Sequence, residues 1–231
     1  MATRRVESAL EALERDVLGM GELVETQLDA AIAALMRRDP VIADEVVRGD
    51  DGVDALDVRI ERAGLALLTE HALPADRVRL VSGLVRIVTQ LERLGDLAVS
   101  VAERACSLAV LPPLIAFEDF ARMGARVQSM VKLALIALVS RDATIAHRVL
   151  GMDSLVDELH AAAFKHYEEL MRSAPANVDR AVLMLSCSRH LERAGDHAKN
   201  IAADVVWIVE GRVIRPGADR TGRDEKILIS A

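Results

Sequence analysis

Leu91-Glu92-Arg93-Leu94-Gly95-Asp96 returns a hundred residues on as Leu191-Glu192-Arg193-Ala194-Gly195-Asp196. Each copy sets a Glu and an Asp four residues apart in a segment that otherwise reads as helix. A four-residue step turns a helix by about 400°, so the two carboxylates stand one above the other on one side. Like charges at that spacing weaken a helix by a few tenths of a kcal/mol. Meeting this cost twice, in the same local context, points to a cation.

The repetition extends outward from these stretches. Met20-Gly21 recurs as Met123-Gly124, and Asp50-x-x-x-Asp54-x-Leu56 as Asp153-x-x-x-Asp157-x-Leu159, both at one fixed offset. A period of this length is too long for a solenoid and reads as a duplicated domain. Within each copy the apolar residues step by three or four. Val6, Leu10, Leu13, Val17, Met20, Val24, Leu28, Ala31 and Leu35 predict one nearly unbroken helix. Asp39-Pro40 closes it and opens a second, with Asp as N-cap and Pro at N1. That second helix is expected to run to about His71, weakened but not broken by Gly49 and Gly52. A third runs from Leu73-Pro74-Ala75-Asp76 to about Leu108. Leu111-Pro112-Pro113 divides the halves, because the second proline forces an extended conformation on the first. The later half repeats the plan: helices from about Phe117 to Arg141, from Asp142 to about Ser173, and from Ala174-Pro175 to Glu210. The expected fold is all-α, two tandem three-helix bundles related by internal duplication. They occupy residues 1–110 and 111–213, and a polar tail follows at 214–231, where Ile227-Leu228-Ile229 alone offers a docking segment.

Composition agrees with helices packed closely on helices. Apolar residues make up 52% of the chain but aromatics only 2%, so the core is built from Ala, Leu, Val and Ile. The N-terminus has no apolar segment of a signal peptide, and the longest apolar run, Leu133 to Val139, falls far short of a membrane span. Cys106 and Cys187 fall at unrelated points of the two halves and read as small hydrophobes in a reducing cytoplasm. A net charge of −7 argues against nucleic acid as the main partner, and no local basic patch stands out.

Folding the second and third helices back about their turn brings residues equidistant from it side by side. Asp54 and Glu92 are centred on position 73, and so are Asp50 and Asp96. Asp157 with Glu192, and Asp153 with Asp196, are centred between Ala174 and Pro175. The halves differ in loop-to-site spacing, yet each keeps its four carboxylates in register. On the third helix Asp96 lies about 40° from Glu92, and on the second Asp50, Asp54, Asp57 and Glu61 form a stripe beside the apolar face. With no Lys or Arg on these stripes, the carboxylates raise one another's pKa unless a cation neutralises them. Oxygen donors favour hard metals: Mg²⁺, Mn²⁺, Ca²⁺ or oxidised iron. The candidate metal ligands are Asp50, Asp54, Glu92 and Asp96 in the first half, and Asp153, Asp157, Glu192 and Asp196 in the second. The plain alternative is two solvated acidic helix faces. His160 stands one turn beyond Asp157, within reach of the second set; a half-exposed helix histidine explains it as well. His190 and His197 flank the Glu192/Asp196 pair and are weaker candidates.

The stretches Glu92-Arg93-Leu94-Gly95-Asp96-Leu97-Ala98 and Glu192-Arg193-Ala194-Gly195-Asp196-His197-Ala198 resemble the duplicated signature of the PhoU family. Ala72-Leu73-Pro74-Ala75-Asp76-Arg77-Val78-Arg79 is similar to that family's turn into its third helix. The resemblance spans about residue 6 to Gly211. It implies a cytoplasmic regulator of phosphate uptake, often dimeric, that restrains the phosphate-starvation response. Such a protein acts between the ATPase subunit of the phosphate ABC transporter and a sensor histidine kinase, and meets the membrane only through those partners. It further implies metal clusters of iron, manganese, magnesium or zinc at the eight acidic positions named above. The copies are not identical. Asn200 stands where the first has Ser100, Ala203 where it has Glu103, and His160 and Phe164 where it has Asp57 and Glu61. The first set, richer in carboxylates, is predicted to bind metal more tightly or hold more ions. Two further readings compete with a non-enzymatic regulator. A carboxylate-bridged di-iron enzyme normally needs Glu-x-x-His on two helices, and this chain has only Asp157-x-x-His160. A metal-free helical adaptor needs nothing more than the helices. No nucleophilic triad and no Gly-rich phosphate loop is present.

Overall fold

Arg38 and Arg141 hold the same place in the two halves, and both take left-handed backbone, at φ 55° and 51°. Each ends a long helix: α1, Ala2–Arg37, and α5, Phe120–Ser140. In each the next residue is an aspartate in extended conformation that caps a short helix. Asp39 Oδ1 accepts from the N–H groups of Val41 (2.9 Å) and Ile42 (3.3 Å) to start α2, Pro40–Arg48. Asp142 Oδ1 accepts from Thr144 (2.7 Å) and Ile145 (3.3 Å) to start α6, Ala143–Leu150. The structure, a computed structural model, describes residues 2–115 and 118–214. The polar tail from Arg215 onward, Ile227–Ile229 included, and the expected helix start at Phe117 lie outside the described residues.

The expected second helix is in fact two. After α2 the chain turns at Gly49-Asp50 and continues as α3, Asp51–Glu70. After α6 it turns at Gly151-Met152 and continues as α7, Asp153–Ser173. Gly49 N–H reaches back to the carbonyls of Glu45 and Val46, and Val53 N–H bonds Asp50 O at 2.8 Å, so the ladder tightens and restarts. The glycines of the two breaks are not at corresponding positions, because Gly49 corresponds to Met152. Glycine weakens a helix by only about 1 kcal/mol, and packing of α2 and α3 on a common neighbour decides the break. It has a consequence for the acidic residues: Asp50 comes to lie at the N-cap of α3 and Asp153 at the first residue of α7, where the helix dipole favours a negative charge.

That common neighbour is α4, Ala75–Ala109, and its counterpart in the second half is α8, Val178–Glu210, entered through a 3-10 turn at Pro175–Asn177. These two helices, nearly continuous with buried Leu, Ile, Val and Ala, form the centre of the molecule and pack on one another. Arg86 meets Asp204, Gln90 meets His197, and Gly83 meets Ile208. Positions rising along α4 pair with positions falling along α8, so the two are antiparallel. Around them α1, α2 and α3 cover α4, while α5, α6 and α7 cover α8.

An approximate two-fold relates the halves, and α1 and α5 obey it in detail. A Cβ on Gly21 would fall 2.7 Å from Leu135 of α5, and one on Gly124 would fall 3.0 Å from Ile32 of α1. Each helix thus receives the other's branched side chain against a glycine, and a Cβ there would make that side chain shift. One apolar core runs from Leu10 to Ile208 through both halves, and a small satellite of Ala163, Tyr167 and Ala181 lies beside it. The expected three-helix bundles are present, each with its middle helix broken, but they lie side by side over a shared core. The α5 helix is long and apolar enough on average to cross a membrane, and half of its most apolar window is buried inside this core.

Candidate functional site

The acidic residues occupy the α3/α4 and α7/α8 pairs. In the first cluster Asp50 and Glu92 are half-buried, while Asp54 and Asp96 are exposed. Burial pushes the Asp50 carboxyl up from the ordinary range, and the charges of Asp54, Asp96 and Asp51 push it further. Glu92 is raised by burial and then by Asp96, with Asp57 and Asp54 adding to the effect and Arg93 opposing it. Asp57 is itself raised by burial and by Glu61 and Asp54. Asp50 thus feels Asp96 across the helix pair, and Glu92 feels Asp57 more than Asp54, so α3 and α4 turn their carboxylates toward a common groove.

The second cluster keeps the arrangement with one substitution of partner. Asp153 is buried, Glu192 half-buried, and Asp157 and Asp196 exposed. Burial and the neighbouring carboxylates again raise Asp157, Glu192 and Asp196. Here Lys199, one turn along α8, directs its ammonium at Asp153 and stands 4.0 Å from Asp196. Val99 holds the corresponding place in the first half. The first cluster has Arg93 instead, 3.3 Å from Glu92 and 3.2 Å from Asp96, with its side chain about half exposed. Neither stripe is free of Lys and Arg, contrary to what helix spacing alone predicts. Arg93 is a solvated pair that contributes little, whereas Lys199 is mostly buried and bridges α8 to α7.

Gln27 was not singled out from the sequence. It sits on the buried face of α1, between Val24 and Ala31, with 5% of its surface exposed, and neither amide atom has a hydrogen-bond partner. A Cβ on Gly95, in the repeated Leu-Glu-Arg-Leu-Gly-Asp stretch, would lie 3.5 Å from Asp50 Oδ1 and 3.6 Å from Gln27 Oε1. Asp50 Oδ1 and Gln27 Oε1 thus both border the gap that the absent side chain of Gly95 leaves. An unsatisfied buried amide costs about 1–3 kcal/mol per group. In the second half Met130 takes the place of Gln27, its Cε 3.8 Å from the same point off Gly195. The signal for Gln27 was legible: a polar residue on an otherwise apolar helical stripe.

The histidines have other partners. His160 Nδ1 pairs with the buried Ser188 hydroxyl at 2.5 Å, and His190 Nε2 with Ser186 at 3.1 Å. His197 Nδ1 lies 2.9 Å from Gln90 Oε1. Burial lowers the His197 pKa first, then Arg193 and Arg93 lower it further, with Asp96 opposing. His197 thus sits on the seam between the clusters, which flank α4 and α8 at one level. Cys187 is buried and its thiol is pushed up to about 12 by burial; Cys106 is half-buried, and both are free.

Oxygen-only donors and an unpartnered amide suit a hard cation at the first cluster. As placed, no three His, Cys, Asp or Glu side chains converge tightly enough to hold a metal ion among the described residues. Like-charged carboxylates repel one another, and the side chains of Asp54 and Asp96 are both exposed.

A family model described as the PhoU domain matches the chain twice, over residues 17–105 and 120–205. The chain belongs to the PhoU family. It is 34% identical, over 89% of its length and 93% of the other's, to the phosphate-specific transport system accessory protein PhoU homolog of Aquifex aeolicus (strain VF5). To the Pseudomonas aeruginosa PhoU homolog it is 32% identical, covering 92% of this chain and 88% of that one. Among solved structures, the crystal structure of PhoU from Pseudomonas aeruginosa superposes with a TM-score of 0.86 at 33% identity, over 89% of this chain and 99% of that one. The phosphate transport system regulatory protein PhoU from Streptococcus pneumoniae gives 0.83 at 25% identity, over 91% and 99%. The two matched segments of the PhoU model each contain one acidic cluster.

Proposed function

We propose that this PhoU-family chain is a cytoplasmic accessory protein of phosphate transport. It restrains uptake and the phosphate-starvation response as a metal-binding helical adaptor. The observation that carries the reading is the match along nearly the whole chain to relatives named for the phosphate-specific transport system. It acts without catalysis, between the ATPase subunit of the phosphate ABC transporter and a sensor histidine kinase, and works as a homodimer. When bound, a hard metal ion supplies charge neutralisation at an acidic cluster. The chain's own part is geometric. α3 and α4 present carboxylates to each other at a level set by the turn between them, so neutralising them stiffens that face for a partner.

A tagged chain recovered from phosphate-replete cells is expected to bring down the transporter ATPase or the kinase. Deleting its gene is expected to switch on a phosphate-starvation reporter in rich phosphate. If neither partner is recovered and the reporter stays silent, the regulator reading fails. A metal-free adaptor is the second reading, favoured by the Lys199 ammonium that already stands at the second cluster. Metal analysis of the purified protein separates the two.

A further inference from the structure

The two clusters differ where a cation would sit, and two independent features of the structure point the same way. At the first, a nearly buried amide with neither of its atoms paired borders the same gap beside Gly95 as Asp50 Oδ1. Buried polar groups in native structures are nearly always paired, with protein, water or an ion, and a glutamine carbonyl is an ordinary ligand for a hard cation. At the second, apolar Met130 replaces that amide and an ammonium already occupies the position facing the carboxylates. Lys199 Nζ joins Asp153 at the head of α7 to α8, with Asp196 4.0 Å away. That is the bridge between neighbouring helices that a metal ion would make between α3 and α4.

We propose that the clusters divide their work: the first takes a divalent cation, with Gln27 Oε1 added to its carboxylates as a neutral oxygen donor. The second carries Lys199 as a built-in cation and excludes metal. The α7/α8 half is thereby clamped at all times, while the α3/α4 half is clamped only when the ion is present. Metal then acts on one half of a molecule whose halves share a core, and the response it produces is one-sided. This inference rests on the metal-binding reading above.

Mn²⁺ alone is the probe, with bound ion counted by electron paramagnetic resonance on the full chain. Wild type is expected to bind, and Asp54→Asn to lose nearly all of the bound ion. Gln27→Met, which copies the second half, is expected to weaken binding about tenfold or more. Lys199→Val, which copies the first half, is expected to add a second set of bound ions that survives in the Asp54→Asn/Lys199→Val double variant. If Lys199→Val does not fold, Lys199→Gln keeps a donor for Asp153 and serves instead. Amide exchange provides a readout independent of stoichiometry: Mn²⁺ is expected to protect the start of α3 and leave the start of α7 unchanged. Retention of half or more of the bound Mn²⁺ in Asp54→Asn, or no gain from either Lys199 variant, overturns the division of work. Absence of binding in every variant, wild type included, overturns the metal reading and this inference with it.

Discussion

Asp204 carries its proton to higher pH than an ordinary aspartate. It is 3% exposed on α8, and burial pushes its carboxyl up to about 6, although Arg86 opposes the shift. Arg86 Nη2 stands 2.5 Å from Asp204 Oδ1, which makes no well-aligned hydrogen bond, and the guanidinium lies 5.3 Å from the Trp207 ring. The contact is thus mainly an attraction of charges. Between about pH 4 and pH 6 the folded chain holds a proton here that the unfolded chain has released, so this group's contribution to stability falls as pH rises through that window. The shift corresponds to about 3 kcal/mol. Urea unfolding of Asp204→Asn against wild type is expected to show a flatter pH dependence from 4 to 6; parallel curves would refute the assignment. Arg86→Ala, which leaves the carboxylate buried without its cation, is expected to cost more at pH 7 than at pH 5. At this same scale Gln27 was visible in the sequence as a polar break in an apolar stripe. Lys199 was not, because nothing in the order of residues along α8 says which carboxylate of α7 its long side chain meets.

At the level of helices, the caps and the acidic stripes make separate predictions. Asp39 satisfies two N–H groups at the start of α2, and Asp39→Ala is expected to lower stability by about 1 kcal/mol. The effect should appear as a lower denaturant midpoint at unchanged slope. The first cluster behaves in the opposite sense when no metal is present. Asp50 is raised by burial and by Asp54, Asp96 and Asp51, so its charged form destabilises the fold. Asp50→Asn is expected to raise the urea midpoint in chelator at pH 7 and to lose that advantage at pH 3, where the native carboxylate is protonated. Added salt should narrow the difference, and a lower midpoint in chelator would refute the repulsion argument. Helix positions, caps and the placing of the carboxylates on neighbouring helices were legible in the sequence, because each depends on spacing along one helix or about one short turn. The breaks at Gly49-Asp50 and Gly151-Met152 were not. Glycine occurs at different positions in the two halves, and the common cause is packing of each short helix on the central pair.

Over the whole molecule, the shared core argues for one cooperative unit. Residues 1–110 alone lack α5 and α8, and leave the faces around Gly21 and Gly83 uncovered. As a monomer, that half is expected to show no cooperative thermal transition, and circular dichroism of the isolated segment tests this. A monomeric half that melts sharply would show that the halves are separate domains after all. Ile208 fills the space beside Gly83, where a Cβ would fall 2.3 Å from its Cγ1. Gly83→Leu is therefore expected to cost about 1–3 kcal/mol through overpacking of the α4/α8 seam, measurable as a drop in midpoint.

By itself, the order of residues determined that this protein is helical, duplicated and furnished with two sets of four carboxylates on neighbouring helices. Helical period, capping and turn symmetry are local rules, and a duplicated pattern repeats them. Only the tertiary structure decided that α4 and α8 run antiparallel over one core, that the middle helices break, and that Lys199 and Gln27 make the two acidic clusters unlike. Those outcomes depend on which surfaces of the two copies bury each other. Two nearly equal sequences carry the same local instructions, and the difference between them acts only through the contacts that packing brings about.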